Sequence, residues 1–186
     1  MPLARVSKLF GTKDAKIAKL TADPAGGPAT YGTTIDVVGI KSVVLGGDVE
    51  VKELRGDHSL LDSDSTLTNI TVTFNYAKLG LDSLAVMLGG VVADSGVTPN
   101  QIAKWSLLGS DGLFNNFKFT AQVFSTDFAG GDAIIELHKC KISSFPEMGT
   151  EEEDYQLFSQ EATVVPRLSD SKWIDISYRE TTAALV

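Results

Sequence analysis

The chain has 186 residues, 43% of them hydrophobic and 22% charged, with a formal net charge of −8 and a sequence pI of about 4.7. That length suffices for one domain with a substantial core, the composition excludes a largely disordered chain, and the acidic balance excludes a surface built to grip nucleic-acid phosphates. A lone cysteine, Cys140, excludes an intrachain disulfide; the opening "MPLARVSKLF" lacks the apolar core of a signal peptide, and no run reaches the ~20 apolar residues of a membrane span, so the chain is expected to fold in a cytoplasm.

Charge is uneven from the first residues. Residues 1–20 hold Arg5, Lys8, Lys13, Lys16 and Lys19 against Asp14 alone, a local net of +4 that leaves −12 for the rest. A basic end on an acidic body is what is expected if the end of one copy lies on another. Residues 1–13 are therefore read as a basic N-terminal arm with Arg5, Lys8 and Lys13 as contact residues, and 14–186 as a single domain. A solvated tail is the competing reading.

Strand signals follow at 34–45 and 49–54, separated by the turn-like "LGGD". Next comes "ELRGDHSLLDSDSTL", residues 53–67, which reads as a charged loop. Asp62, Asp64 and Thr66 fit the first positions of a calcium loop, but Leu67 stands where the turn needs glycine and Thr73 where a bidentate glutamate is needed, so that match fails. The tripeptide Arg55-Gly56-Asp57 spells an adhesion motif without a secretory context and is discounted. In "NITVTFNYAK", Ile70, Val72, Phe74 and Tyr76 alternate with Thr71, Thr73 and Asn75, the period of a half-buried strand. "LDSLAVMLGG" breaks that period: Leu81, Leu84, Ala85 and Leu88 share one helical face, Asp82 reads as the N-cap, and Gly89 and Gly90 supply the stop.

Strands are expected again at 103–108, at 117–123 with Phe117, Phe119, Ala121 and Val123 inward, and at 133–142, 155–165 and 172–178. The stretches "SDG", "AGGD", "SFPEMG" and "LSDSK" read as turns between them. His138 and Cys140, two apart, are expected on one strand face. Glu151, Glu152, Glu153 and Asp154 form an acidic loop that would face a lumen or an interface if copies met in a ring. Trp105 and Trp173 read as core or interface anchors. The fold class expected is mainly β: an antiparallel β-sandwich or barrel with one short flanking α-helix over about residues 81–89.

Catalytic chemistry has little support. His58, His138 and Cys140 lack any zinc-site spacing, and neither a "GxSxG" elbow nor a phosphate-cradling glycine loop occurs. No catalytic residue, metal or cofactor is expected.

Three segments in order resemble the major tail protein, or tail tube protein, family of long-tailed bacteriophages. They are residues 41–90, with "ELRGD" and "LDSLAVMLGG"; residues 136–167, with "EEEDY" and a closing "PR"; and "SDSKWIDISYRETTAAL". The resemblance spans most of the chain from residue 14 onward. It implies a β-sandwich with a flanking helix and copies joined in hexameric rings that stack into a hollow tube. It also implies a place in the virion, tape-measure, tail-tip initiator and tail-terminator proteins as partners, and DNA as a transient passenger of the lumen. On that reading 53–67 is a self-recognition loop, with Glu53, Arg55, Gly56, Asp57, Asp62 and Asp64 as stacking residues. The alternative is a β-sandwich binding module, such as a capsid-decoration or carbohydrate-binding domain, which needs an exposed concave aromatic face.

Overall fold

Alternating apolar side chains decide most of the architecture. The computed structural model describes residues 8–57, 59–109, 114–125, 130–148 and 156–185. Its elements are β1 (Leu9–Ala22), β2 (Thr30–Asp36), β3 (Ile40–Gly56), β4 (Ser59–Tyr76), α1 (Leu81–Leu88), β5 (Val91–Ser95), β6 (Ile102–Ser106), β7 (Asn116–Ser125), β8 (Asp132–Ile142), β9 (Phe158–Val164) and β10 (Ile174–Arg179). All strand pairs are antiparallel. The main sheet runs β2-β1-β7-β8-β9-β4-β3, with β10 also on β8, and β5 and β6 form a separate hairpin. A β-sandwich-like fold with one short helix is thus what the chain adopts.

One irregularity in β8 folds the sheet over. Between the pairs Phe117↔Cys140 and Phe119↔Leu137, β8 carries one residue more than β7. This bulge sharpens the local twist. It also divides one edge of β8: residues Asp132 to Leu137 pair β10, and Cys140 to Ile142 pair β9. The sheet continues along two branches, and the β9–β4–β3 branch turns its apolar face onto β1 and β7. Phe74 of β4 stacks on Phe119 of β7 at 5.2 Å between ring centroids, and Tyr76 on Phe158 at 5.5 Å. Leu84, Met87 and Leu88 of α1 join the same core. The bulge also separates His138 from Cys140, contrary to the shared face expected from their spacing. Leu137 and Cys140 both enter the core, and the His138 ring turns to Asp175 of β10.

Several sequence expectations need correction. Residues 9–13 are not a free arm: they begin β1, pairing with β7 through two register shifts around Gly11, whose φ is 66°. The "LGGD" stretch is no turn, because Gly46 and Gly47 lie mid-strand opposite Thr71 and Ile70. A Cβ on either would stand 3.0–3.1 Å from the partner strand. The expected 34–45 strand is broken instead at Gly39, with φ 78°. The N-cap of α1 is Gly80, with no side-chain cap, and Asp82 sits in the first turn, where its charge suits the helix dipole. β5 was not expected at all.

The C-terminal end of α1 is closed from outside. The Asn115 side-chain amide donates to the carbonyls of Ala85 and Val86 at 3.2 and 3.1 Å, and Trp105 Nε1 donates to the Gly89 carbonyl at 2.9 Å. Gly90 follows with φ 84°, and a Cβ there would collide with the Ser106 carbonyl and lie 2.9 Å from Trp105 Nε1. Gly90→Ala is therefore expected to cost at least ~1–2 kcal/mol from backbone strain alone. A lower thermal midpoint, with the helix and the β5–β6 hairpin loosened first in hydrogen exchange, checks it.

Candidate assembly surface

The charged stretch at 53–67 is not a loop. It is the distal part of a β-ribbon in which β3 and β4 pair continuously from Ile40↔Tyr76 to Gly56↔Ser59. The inner part belongs to the body, where Ile70 to Tyr76 of β4 also pair β9. Further out, no described residue pairs with either edge, and every described residue with an assigned exposure from Val44 to Thr68 is exposed on both faces. A two-stranded ribbon alone is marginally stable in water. This one is anchored by sharing its strands with the sheet.

Its two faces differ. No extra residue enters β3 after Ser42, so Leu45, Val49 and Val51 stand on the same side as Val43, which packs on the core. On β4 the bulge at Thr68, whose hydroxyl donates to the Asp48 carbonyl at 3.0 Å, keeps Leu67 opposite Val49. The apolar face of the core thus continues out along the ribbon with nothing over it. Val51 is 53% exposed there, and at the tip Leu54 and Leu61 are 62% and 63% exposed. Contiguous apolar exposure of that kind is uncommon on a soluble monomer.

Glu53 and Arg55 extend the stripe's face toward the tip, whereas Glu50, Lys52, Asp62 and Asp64 stand on the opposite face. Arg55 pairs within its own strand, donating to Glu53 Oε2 from Nε and Nη2 at 2.8 and 2.6 Å, and Lys52 lies 3.7 Å from Glu50. Asp57, with φ 42°, makes the turn at the tip together with Gly56. Asp62 accepts from the Ser63 N–H at 2.8 Å, and Asp62 and Asp64 face Leu54 and Lys52 across the ribbon. From Asp48 to Thr66 the sequence carries six carboxylates and two cationic side chains, a net of −4. Such charges on free edges keep strands from pairing indiscriminately. Glu53, Arg55, Gly56, Asp57, Asp62 and Asp64 therefore belong to one ribbon tip. Glu151, Glu152, Glu153, Asp154, Arg5 and His58 lie outside the described residues.

A second feature stands at the start of β1. Lys13 Nζ donates to Thr182 Oγ1 at 2.9 Å and lies 5.6 Å from the centroid of the Phe124 ring. Leu9 and Phe124 are 43% and 45% exposed, and Lys8 precedes them at the surface. Thr182 is itself held by a buried charge clasp. Asp132, fully buried, accepts from Arg179 Nε and Nη2 at 2.7 and 2.6 Å, from Thr182 Oγ1 at 2.8 Å and from Gln122 Nε2. Arg179 and Gln122 also donate to the Ala183 carbonyl at 2.7 and 2.9 Å, and the Thr182 N–H to Gly130 at 2.7 Å. The Arg179 guanidinium foremost, with Gln122 and Thr182, holds the Asp132 carboxyl far below the usual range in spite of its burial.

The other perturbed groups are staples of the same kind. Burial opposes charge on Asp23, yet the Leu168 N–H and Lys139, at 2.9 Å, keep its carboxyl low, tying the end of β1 to the segment before β10. His138 Nε2 lies 2.9 Å from Asp175, which Lys172 also holds at 3.1 Å. The Cys140 thiol is pushed up by burial, and Tyr76, buried beside Gln160, is raised to about 12. No group of three or more metal-ligating side chains occurs among the described residues, and no described helix is long and apolar enough to cross a membrane.

No protein-family model matches this chain, and neither does any curated protein.

Proposed function

We propose that this chain is an architectural subunit that assembles with copies of itself, stacking as the tail tube proteins that its sequence resembles do. The observation that carries the reading is the exposed ribbon of β3 and β4, whose apolar stripe extends the core face into solvent. Half-covering one Val or Leu is worth on the order of 1 kcal/mol. Leu45, Val49, Val51 and Leu67 together therefore supply roughly 4 kcal/mol, no more than the ~4–15 kcal/mol that association costs. A single contact of this kind does not hold two copies together, whereas a closed ring or stack, in which each copy is held several times, does. An acidic body of net charge −8 suits a conduit for DNA, because it repels phosphate instead of retaining it.

Negative-stain electron microscopy of the concentrated protein tests the proposal. Rings or hollow tubes are expected, dissolving to monomers on dilution and weakening in molar salt as the charged contacts are screened. A species that stays monomeric at high concentration, with no tube even on an added tail-tip complex, rejects it.

A further inference from the structure

We infer that the acidic ribbon of one copy docks on the basic, apolar patch formed by Leu9, Lys8, Lys13 and Phe124 of a second copy. The inference rests on the self-assembly reading and names the partner surface. Three observations converge on it. The ribbon stripe is apolar and half-exposed, and so is the pair Leu9 and Phe124, so each offers area the other can cover. The ribbon from Asp48 to Thr66 carries a net of −4, whereas the patch presents the two cations Lys8 and Lys13, so the two surfaces attract and like surfaces repel. The patch is also preformed: Lys13 is fixed over the Phe124 ring by Thr182, and Thr182 by Asp132, so little ordering is needed on docking.

The rival acceptor is the β5–β6 hairpin, which exposes Val91 and Ile102. Its strands carry one acid, Asp94, and one base, Lys104, so it has no net attraction for the ribbon. Docking on the patch is head to tail, because ribbon and patch are different surfaces. Such a contact closes into rings or propagates into stacks and does not stop at a dimer.

The test is a charge exchange within the full chain, read by sedimentation velocity and electron microscopy after circular dichroism shows each variant folded. Glu50→Lys, Asp62→Lys and Asp64→Lys together turn the ribbon's net of −4 into +2, and Lys8→Glu with Lys13→Glu makes both patch charges negative. Each set alone is expected to lower the assembled fraction about tenfold or more. All five together restore attraction and are expected to restore assembly. Because Lys13 also holds Thr182, Lys8→Glu with Leu9→Asp serves as a second patch variant that leaves that bond intact, and the same loss is expected. The proposal fails if either exchange alone assembles like the native chain, or if the combined variant is folded yet unassembled. It also fails if Ile102→Asp abolishes assembly that the exchanges leave untouched, which would move the acceptor to the β5–β6 hairpin. A native chain that never assembles brings down the self-assembly reading itself, a result distinct from any of these.

Discussion

Arg179→Ala lowers the unfolding free energy by about 3–5 kcal/mol, the cost of stranding a buried carboxylate without its cation. Asp132 has no exposed surface, and in the variant only Gln122 and Thr182 remain as side-chain donors to it. Arg179→Lys keeps the charge but loses the two-pronged geometry and falls between. The loss depends on pH with a definite sign. Asp132 ionises well below the ordinary carboxylate range in the folded chain, so the clasp contributes its full stability above the pKa of an unfolded Asp and loses it as pH falls through the folded value. Asp23, Asp170 and Asp175 are shifted the same way and add to the acid sensitivity. Urea unfolding of native chain and variant at pH 7 and at pH 3 checks both points: the gap between them is wide at pH 7 and narrows in acid. An unchanged gap would mean that Asp132 is not the partner that matters. Because the clasp fixes Thr182, and Thr182 fixes Lys13, the variant is also expected to loosen the start of β1 in hydrogen exchange.

How far the sequence disclosed this arrangement depends on which signal each segment carries. β4 and β7 were legible because Ile70 to Tyr76 and Phe117 to Val123 alternate without interruption, and α1 because four apolar residues fall on one helical face. β1 was hidden by Gly11, whose bulge breaks the period, and by lysines that suggest a tail. The ribbon was hidden by Gly46 and Gly47, which imitate a turn, and by its charges, which imitate a loop. Its signal was nonetheless present: Val43, Leu45, Val49 and Val51 keep the period of two across the glycines. The separation of His138 from Cys140 was not legible, since a bulge depends on what lies across the sheet. The clasp of Asp132, Gln122, Arg179 and Thr182 joins residues up to 60 positions apart. No local pattern announces such a set.

Removing the ribbon separates folding from assembly most sharply. Deleting Val51 to Ser65 and joining Glu50 to Thr66 through Asn-Gly places a tight turn where those residues face each other, a geometry that a two-residue hairpin accepts. None of the described residues deleted belongs to the core, and the pairs from Ile40 to Val49 that tie β3 to β4 remain. The shortened chain is expected to keep its far-ultraviolet signature, and its thermal midpoint should stay within a few degrees, a change of no more than ~1 kcal/mol. Solubility is expected to rise, because Leu54, Leu60 and Leu61 leave the surface with the tip. Rings and tubes are expected to vanish, since the stripe loses Val51 and the charged tip that steers docking. Tubes of ordinary length from the folded, shortened chain would show that the ribbon tip does not join copies. A chain that fails to fold would show that the ribbon supports the sheet it grows from, and Val51→Asp with Leu60→Asp in the full-length chain then tests assembly with the backbone intact.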